Sequence, residues 1–231
     1  MLRALKISSF ILALAALATF ATNCGTDHAK VRVINASPDA GGVDVAVDGK
    51  TVITGLPFGG LSPASGYLTV AAGNRRVEFR NTGTTTDQIN SIVGLASKKD
   101  YTLLAVGKVV DKTIAALLKT DDNSAPPSGN IKLRVIHAAV DGPPHIDIFI
   151  VAPGTNITNA TPTIAALAYQ QASDYQNLPA GTYEVIMTNT VDQSIKFDQT
   201  YPLTAGQIRT LVTLDIGGGD MMSALELSDL N

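Results

Sequence analysis

His137, Asp141, His145 and Asp147 place two imidazoles and two carboxylates in one short stretch of this 231-residue chain. Imidazole nitrogens and carboxylate oxygens hold zinc and related divalent cations, so the stretch has the makings of a metal-dependent hydrolase or a metal-binding protein. The chain carries its own control. Val31-Arg32-Val33-Ile34-Asn35-Ala36 reappears as Leu133-Arg134-Val135-Ile136-His137-Ala138. Asn35 stands where His137 stands, and His145 falls in a loop with one inserted residue, so the first half lacks both imidazoles. The default reading of the four residues is polar strand ends and turns. His28, the third histidine, sits in a polar N-terminal segment.

Two carboxylate pairs do recur, Asp39 with Asp141 and Asp44 with Asp147. A shared site would explain them, and paired carboxylates near a loop suit calcium better than zinc. Shared turn chemistry explains them as well. Asp39 follows Pro38 in a Ser37-Pro38-Asp39-Ala40 turn, and Asp44 lies on the outward face of a strand, where its carboxylate can accept turn amides. Asp121-Asp122-Asn123 has the composition of a calcium loop or of a solvated linker, and the linker is the reading taken. No Gly-x-Ser-x-Gly elbow occurs, and Gly217-Gly218-Gly219-Asp220 lacks the lysine of a phosphate loop and reads as a hairpin turn. No catalytic residue and no cofactor are expected.

Composition narrows the partners. With 17 basic against 20 acidic residues and a formal charge of −3, no basic surplus exists to neutralise phosphates, so nucleic acid is excluded as a main partner. A hydrophobic fraction of 45% is too high for a disordered chain. One cysteine rules out a disulfide framework. With no tryptophan, recognition of a glycan would rest on the six tyrosines.

The N-terminus reads as an export signal. Arg3 and Lys6 precede an apolar stretch, Ile7 to Ala21, broken only by Ser8, Ser9 and Thr19. That stretch is shorter than the ~20 residues a membrane-spanning helix needs. The sole cysteine, Cys24, follows at once and resembles the lipobox of bacterial lipoproteins, where the thiol is diacylated and becomes the mature N-terminus. Ala21, Thr22 and Asn23 stand where that family prefers Leu at minus three and Gly, Ala or Ser at minus one. The other readings are ordinary cleavage near Ala21 with a free thiol, or an incidental cysteine.

Self-similarity sets the architecture. Beyond the first motif, Tyr67, Ala72-Gly73 and Thr102-Leu103 match Tyr175, Ala180-Gly181 and Thr210-Leu211 at one constant offset. Within each copy the apolar period is two: Val43, Val45 and Val47 alternate with Asp44, Ala46 and Asp48, and Asp48-Gly49 supplies a tight hairpin. About seven strands per copy, with turns every ~8–12 residues, predict an all-β chain of two tandem immunoglobulin-like β-sandwich domains after an N-terminal signal peptide. The expected division is a lipoprotein signal peptide over 1–23, a tether over 24–29, a first sandwich over 30–119, a linker over 120–130 and a second sandwich over 131–231. Extra residues in the second copy are assigned to Ala152–Pro162, and 164–172 has room for one helical turn.

The run Val31 to Ala40, followed by Val43-Asp44-Val45-Ala46-Val47-Asp48-Gly49, resembles the opening of the domain-of-unknown-function 4397 family of bacterial envelope proteins. The second copy keeps Arg134 to Ala138 and Ile146-Asp147-Ile148-Phe149-Ile150. The resemblance implies a secreted or lipid-anchored β-sandwich and brings no activity and no site residues. The expected function is a non-catalytic lipoprotein of the bacterial cell envelope, anchored to a membrane through Cys24. Its role would be binding or adhesion to an envelope protein or a glycan, on an outer-membrane, periplasmic or surface-facing side. A structural spacer is the third reading.

Overall fold

A computed structural model describes residues 27–217 and 219–229. The signal peptide, Cys24 and most of the tether lie outside the described residues. Among those described, the chain forms seventeen strands and no helix, and therefore none long and apolar enough to cross a membrane.

The first copy contributes β1 (His28–Asn35), β2 (Val43–Val47), β3 (Lys50–Leu56), β4 (Leu61–Ser62), β5 (Leu68–Ala71), β6 (Gly73–Asn81), β7 (Asp87–Leu95), β8 (Asp100–Val106) and β9 (Ala115–Asp121). The second contributes β10 (Asn130–Ile136), β11 (His145–Val151), β12 (Ile164–Ala168), β13 (Gln176–Pro179), β14 (Gly181–Asn189), β15 (Ile195–Leu203), β16 (Ile208–Asp215) and β17 (Met222–Ser228). In each copy an outer sheet, β3-β2-β6-β7 or β12-β11-β14-β15, covers an inner one, β4-β1-β8-β9 or β13-β10-β16-β17. The first strand of each copy runs parallel to its inner-sheet neighbour, β1 with β8 and β10 with β16. The copies thus have nine and eight strands rather than about seven, because short segments such as β4 and β5 add to the inner sheets.

The hairpin signals act as expected. Asp48 and Gly49 both take positive φ (51° and 82°), which joins β2 to β3 with two residues. The second copy spends residues 152–163 on the same connection, which is where its extra length was expected. The stretch 164–172, which had room for one helical turn, forms none: Ile164–Ala168 pairs with β11 as β12.

Three apolar layers, not two, hold the chain together. Val31, Val33, Leu103 and Phe79 belong to the first sandwich core, and Leu133, Val135, Leu211 and Met187 to the second. Between them lies a third, built from Ile34, Leu104 and Val106 of one inner sheet and Ile136, Val212, Leu214 and Leu227 of the other. The inner sheets therefore pack back to back, and their strands are buried on both faces, whereas the outer sheets keep one solvated face. The linker expected at 120–130 consequently does not begin as a solvated segment. Asp121 ends β9 and is buried, 6% exposed, because two arginines of the back-to-back interface compensate its charge.

Candidate functional site

The four residues that suggested a metal do not converge. Among the described residues no group of three or more His, Cys, Asp or Glu side chains is arranged to hold a metal ion. His137 is fully buried at the end of β10. Its Nε2 lies 2.8 Å from the Pro143 carbonyl, which only accepts, so Nε2 carries the proton. Nδ1 then accepts from the Thr213 hydroxyl at 2.9 Å, while that hydroxyl oxygen accepts from the Ala138 and Ala139 amides at 2.9 and 3.1 Å. Burial pushes the imidazole pKa down, against the Pro143 carbonyl and with His145. The ring braces the turn into β11. In the first copy Asn35 does the same, donating to the Gly41 carbonyl at 2.9 Å, the position equivalent to Pro143.

The recurring carboxylates hold turns. Asp44 accepts from the Gly55 amide at 2.7 Å and the Gly83 amide at 3.0 Å, and Asp147 accepts from the Ala166 amide at 2.8 Å. Gly55 and Ala166 both have positive φ, so each aspartate fastens the same kink in the strand following the hairpin. Burial resists ionisation of Asp39, but the Val110 and Val109 amides that it accepts outweigh this and hold its pKa below the usual carboxylate range. Asp141 pairs with Lys108 of the other copy instead. His145, at the start of β11, is exposed.

A different constellation occupies the centre of the molecule. Arg32 on β1 and Arg134 on β10 point away from their own cores into the interface between the inner sheets, 1% and 2% exposed. Asp121 and Asp229, at the ends of the last strands of the two copies, complete a buried four-charge cluster of no net charge. The Arg32 Nη2 lies 3.1 Å from Asp121 and 2.5 Å from Asp229, and Arg134 pairs with Asp121.

The supports of the cluster are duplicated as well. The Nε of Arg32 donates to Thr102 at 2.8 Å and that of Arg134 to Thr210 at 3.0 Å. Each threonine passes its hydroxyl proton to the aspartate of its own copy, Asp121 or Asp229. The Tyr67 hydroxyl donates to Asp121 at 2.7 Å and the Tyr175 hydroxyl to Asp229 at 3.2 Å. Arg32 stacks on the Tyr67 ring at 5.0 Å and Arg134 on the Tyr175 ring at 4.7 Å. Burial raises the Asp229 pKa, with Arg32 opposing, and raises both tyrosine pKa values. Beside the cluster, Lys132 donates to Asp122 and holds its pKa down at about 2.

Sequence reasoning missed this cluster. A signal existed: Arg32 and Arg134 occupy the outward face of otherwise apolar strands, and all of Arg, Tyr, Thr and Asp match between the copies. Every member pairs with another, so the cluster cements the two copies together.

One open cleft borders the cluster and another lies apart from it. One of about 330 Å³ opens at the seam between the copies, with Arg32 at its floor and Arg209 and Glu226 on its wall. The other, about 300 Å³, lies between the 152–163 loop and the turn joining β14 to β15. A cavity of only about 20 Å³ within the first core is apolar.

Residues 29–149 match the family described as "Domain of unknown function (DUF4397)". The match covers the whole first copy and ends within β11. No curated protein matches the chain. Among solved structures, the Bacillus anthracis TIE protein is 13% identical with a TM-score of 0.28. The alignment covers 82% of this chain and 34% of that one, so this chain spans about a third of that protein's length. A family CBM26 module from Eubacterium rectale Amy13K, solved with maltoheptaose, is 9% identical with a TM-score of 0.29, over 86% of this chain and 96% of that one.

Proposed function

The chain belongs to the DUF4397 family, and from that premise we propose that it is a non-catalytic lipoprotein of the bacterial cell envelope. Its two sandwiches act as one rigid binding module for an envelope protein or glycan. The observation that carries this reading is the buried seam. The apolar layer between the inner sheets and a four-charge cluster fix the two copies to each other, so the loops and clefts of both are presented as one surface. The groups with the composition of an active site are bound up in bracing turns, as His137 and Asp44 illustrate.

Cys24 stands four residues before the start of β1. An acyl chain there would hold the module within roughly 14 Å of a membrane surface, since an extended chain spans at most ~3.3–3.6 Å per residue. Each buried methylene adds ~0.8 kcal/mol to that attachment. Labelling cells with palmitate tests it. Wild-type protein takes up label and pellets with membranes, Cys24→Ala does neither, and equal labelling of the two would end the lipoprotein reading.

A further inference from the structure

The duplication shows where this molecule departs from its own symmetry, and the departures coincide at the seam cleft. Ten residues separate Leu56 from Tyr67 in the first copy, and six separate Ala168 from Tyr175 in the second. The longer segment arches over the cleft and lines it with Ala64, Ser65 and Gly66. At the floor the arginines also differ. Arg134 Nη1 donates to the Thr120 carbonyl at 2.8 Å, whereas Arg32 Nη1 reaches the equivalent Ser228 carbonyl only at 3.4 Å. On the wall, Arg209 and Glu226 replace Tyr101 and Leu118 of the first copy, so an ion pair stands where the other copy is apolar.

That ion pair is lopsided. The Arg209 side chain is 12% exposed and Glu226 42% exposed, with 3.0 Å between Nε and Oε1. An exposed carboxylate on a long side chain is released at little cost. A guanidinium that is mostly buried keeps its demand for an anion. We infer that the seam cleft is a binding site for a carboxylate group, which takes the place of Glu226 on Arg209 beneath the Leu61–Gly66 arch. The planar, singly charged carboxylate matches what it displaces and can engage the guanidinium fork in a bidentate manner. Asp229 and Asp121, buried behind Arg32, disfavour a doubly charged phosphate. About 330 Å³ is room for one small acid or one terminal residue of a chain, at the lower end of the ~300–1,000 Å³ typical of ligand pockets.

This inference rests on the binding-module reading and names the chemistry of one ligand group. Two sources share that chemistry, an acidic sugar and a peptide C-terminus. Calorimetric titration of the exported full-length protein with glucuronate and with N-acetylalanine separates them, and glucose and N-acetylalaninamide serve as neutral counterparts. At least one acid is expected to bind saturably and its neutral counterpart not. Glu226→Gln removes the internal competitor and tightens binding several-fold, while Arg209→Gln weakens it by about tenfold or more. Ala64→Trp, at an exposed position of the arch, blocks the cleft without touching any charge, and keeps the test decisive should Arg209→Gln unfold. Equal binding of acids and neutral counterparts, or weaker binding to Glu226→Gln, overturns the carboxylate site. Binding of the neutral sugar alone does so too, yet leaves the binding-module reading standing.

Discussion

Arg32 and Asp229 stand near opposite ends of the chain, and their Nη2 and Oδ1 atoms lie 2.5 Å apart in the centre of the molecule. Arg32 also holds Asp121, which Arg134 shares, so the first and last strands of the two copies are joined through one set of charges. Burying four charges is costly, and the cost is offset by mutual attraction and by the Thr102, Thr210, Tyr67 and Tyr175 hydroxyls. The cluster therefore specifies how the copies dock more than it stabilises the docked state.

Removing one member is expected to be severe. Asp121→Ala leaves Arg32 its pair with Asp229 but strips Arg134 of its carboxylate, so one buried positive charge goes uncompensated, and a loss of about 3–5 kcal/mol follows. Urea unfolding of wild type and variant measures it. A loss under about 1 kcal/mol would mean that water reaches the cluster.

Replacing all members together should behave differently. With Arg32 and Arg134 changed to Met, Asp121 and Asp229 to Leu, Thr102 and Thr210 to Val, and Tyr67 and Tyr175 to Phe, neither a charge nor a hydroxyl of the cluster is left unpaired. Stability should then match or exceed wild type, by as much as about 1–4 kcal/mol. The same urea curves decide it, and a fall equal to the sum of the single losses would refute the compensation argument.

The third apolar layer makes the two copies one cooperative unit. Calorimetry should record a single transition whose van't Hoff enthalpy equals the calorimetric one for the whole chain. Ile136→Asp buries a charge among Ile34, Leu104 and Val212 and should split or broaden that transition. Two separate transitions in the wild type would show that the copies unfold independently.

How much of this was visible in the sequence depends on which face of a strand is asked about. Period-two runs such as Val43 to Asp48 mark sheets with one wet face, and those strands and their Asp48-Gly49 turn lie where the pattern puts them. The inner strands gave a subtler message. In Tyr101-Thr102-Leu103-Leu104-Ala105-Val106 both faces are apolar, which is the signature of a strand covered on both sides. A single sandwich has no use for the second face, and a partner sheet supplies it. The Asp121-Asp122-Asn123 run misled because charge in a Pro-rich neighbourhood ordinarily means solvent, and no local pattern shows that Arg32 lies opposite. The seam cleft was out of reach for the same reason, since its walls come from both copies.

Thr213 is the most heavily used hydroxyl near the second copy's turn. Its oxygen accepts from the Ala138 and Ala139 amides, and its proton goes to His137 Nδ1. Thr213→Val keeps the volume and orphans all three buried groups, at about 1–3 kcal/mol for each unsatisfied group. Urea unfolding should show a loss larger than one hydrogen bond is worth, about 0.5–1.5 kcal/mol. A double-mutant cycle with His137→Asn should show strong coupling, and additivity would place water in the pocket.

His137 supplies a pH signature with a definite sign. The folded protein holds the ring neutral, with a pKa below the free value of 6.5, because burial disfavours the imidazolium and both ring nitrogens are already committed. The unfolded chain protonates this ring first as pH falls. The stability it contributes is therefore complete above pH 6.5 and is lost as pH drops from there towards the folded pKa. Asparagine is the residue the first copy uses at this position, so His137→Asn should cost about 1 kcal/mol at high pH while removing the pH dependence. Urea unfolding at pH 8 and pH 5.5 separates the two effects, with wild type losing stability between them and His137→Asn much less. Equal losses in both proteins would mean that the acid sensitivity lies elsewhere, and that the buried ring is already reached by protons in the native state.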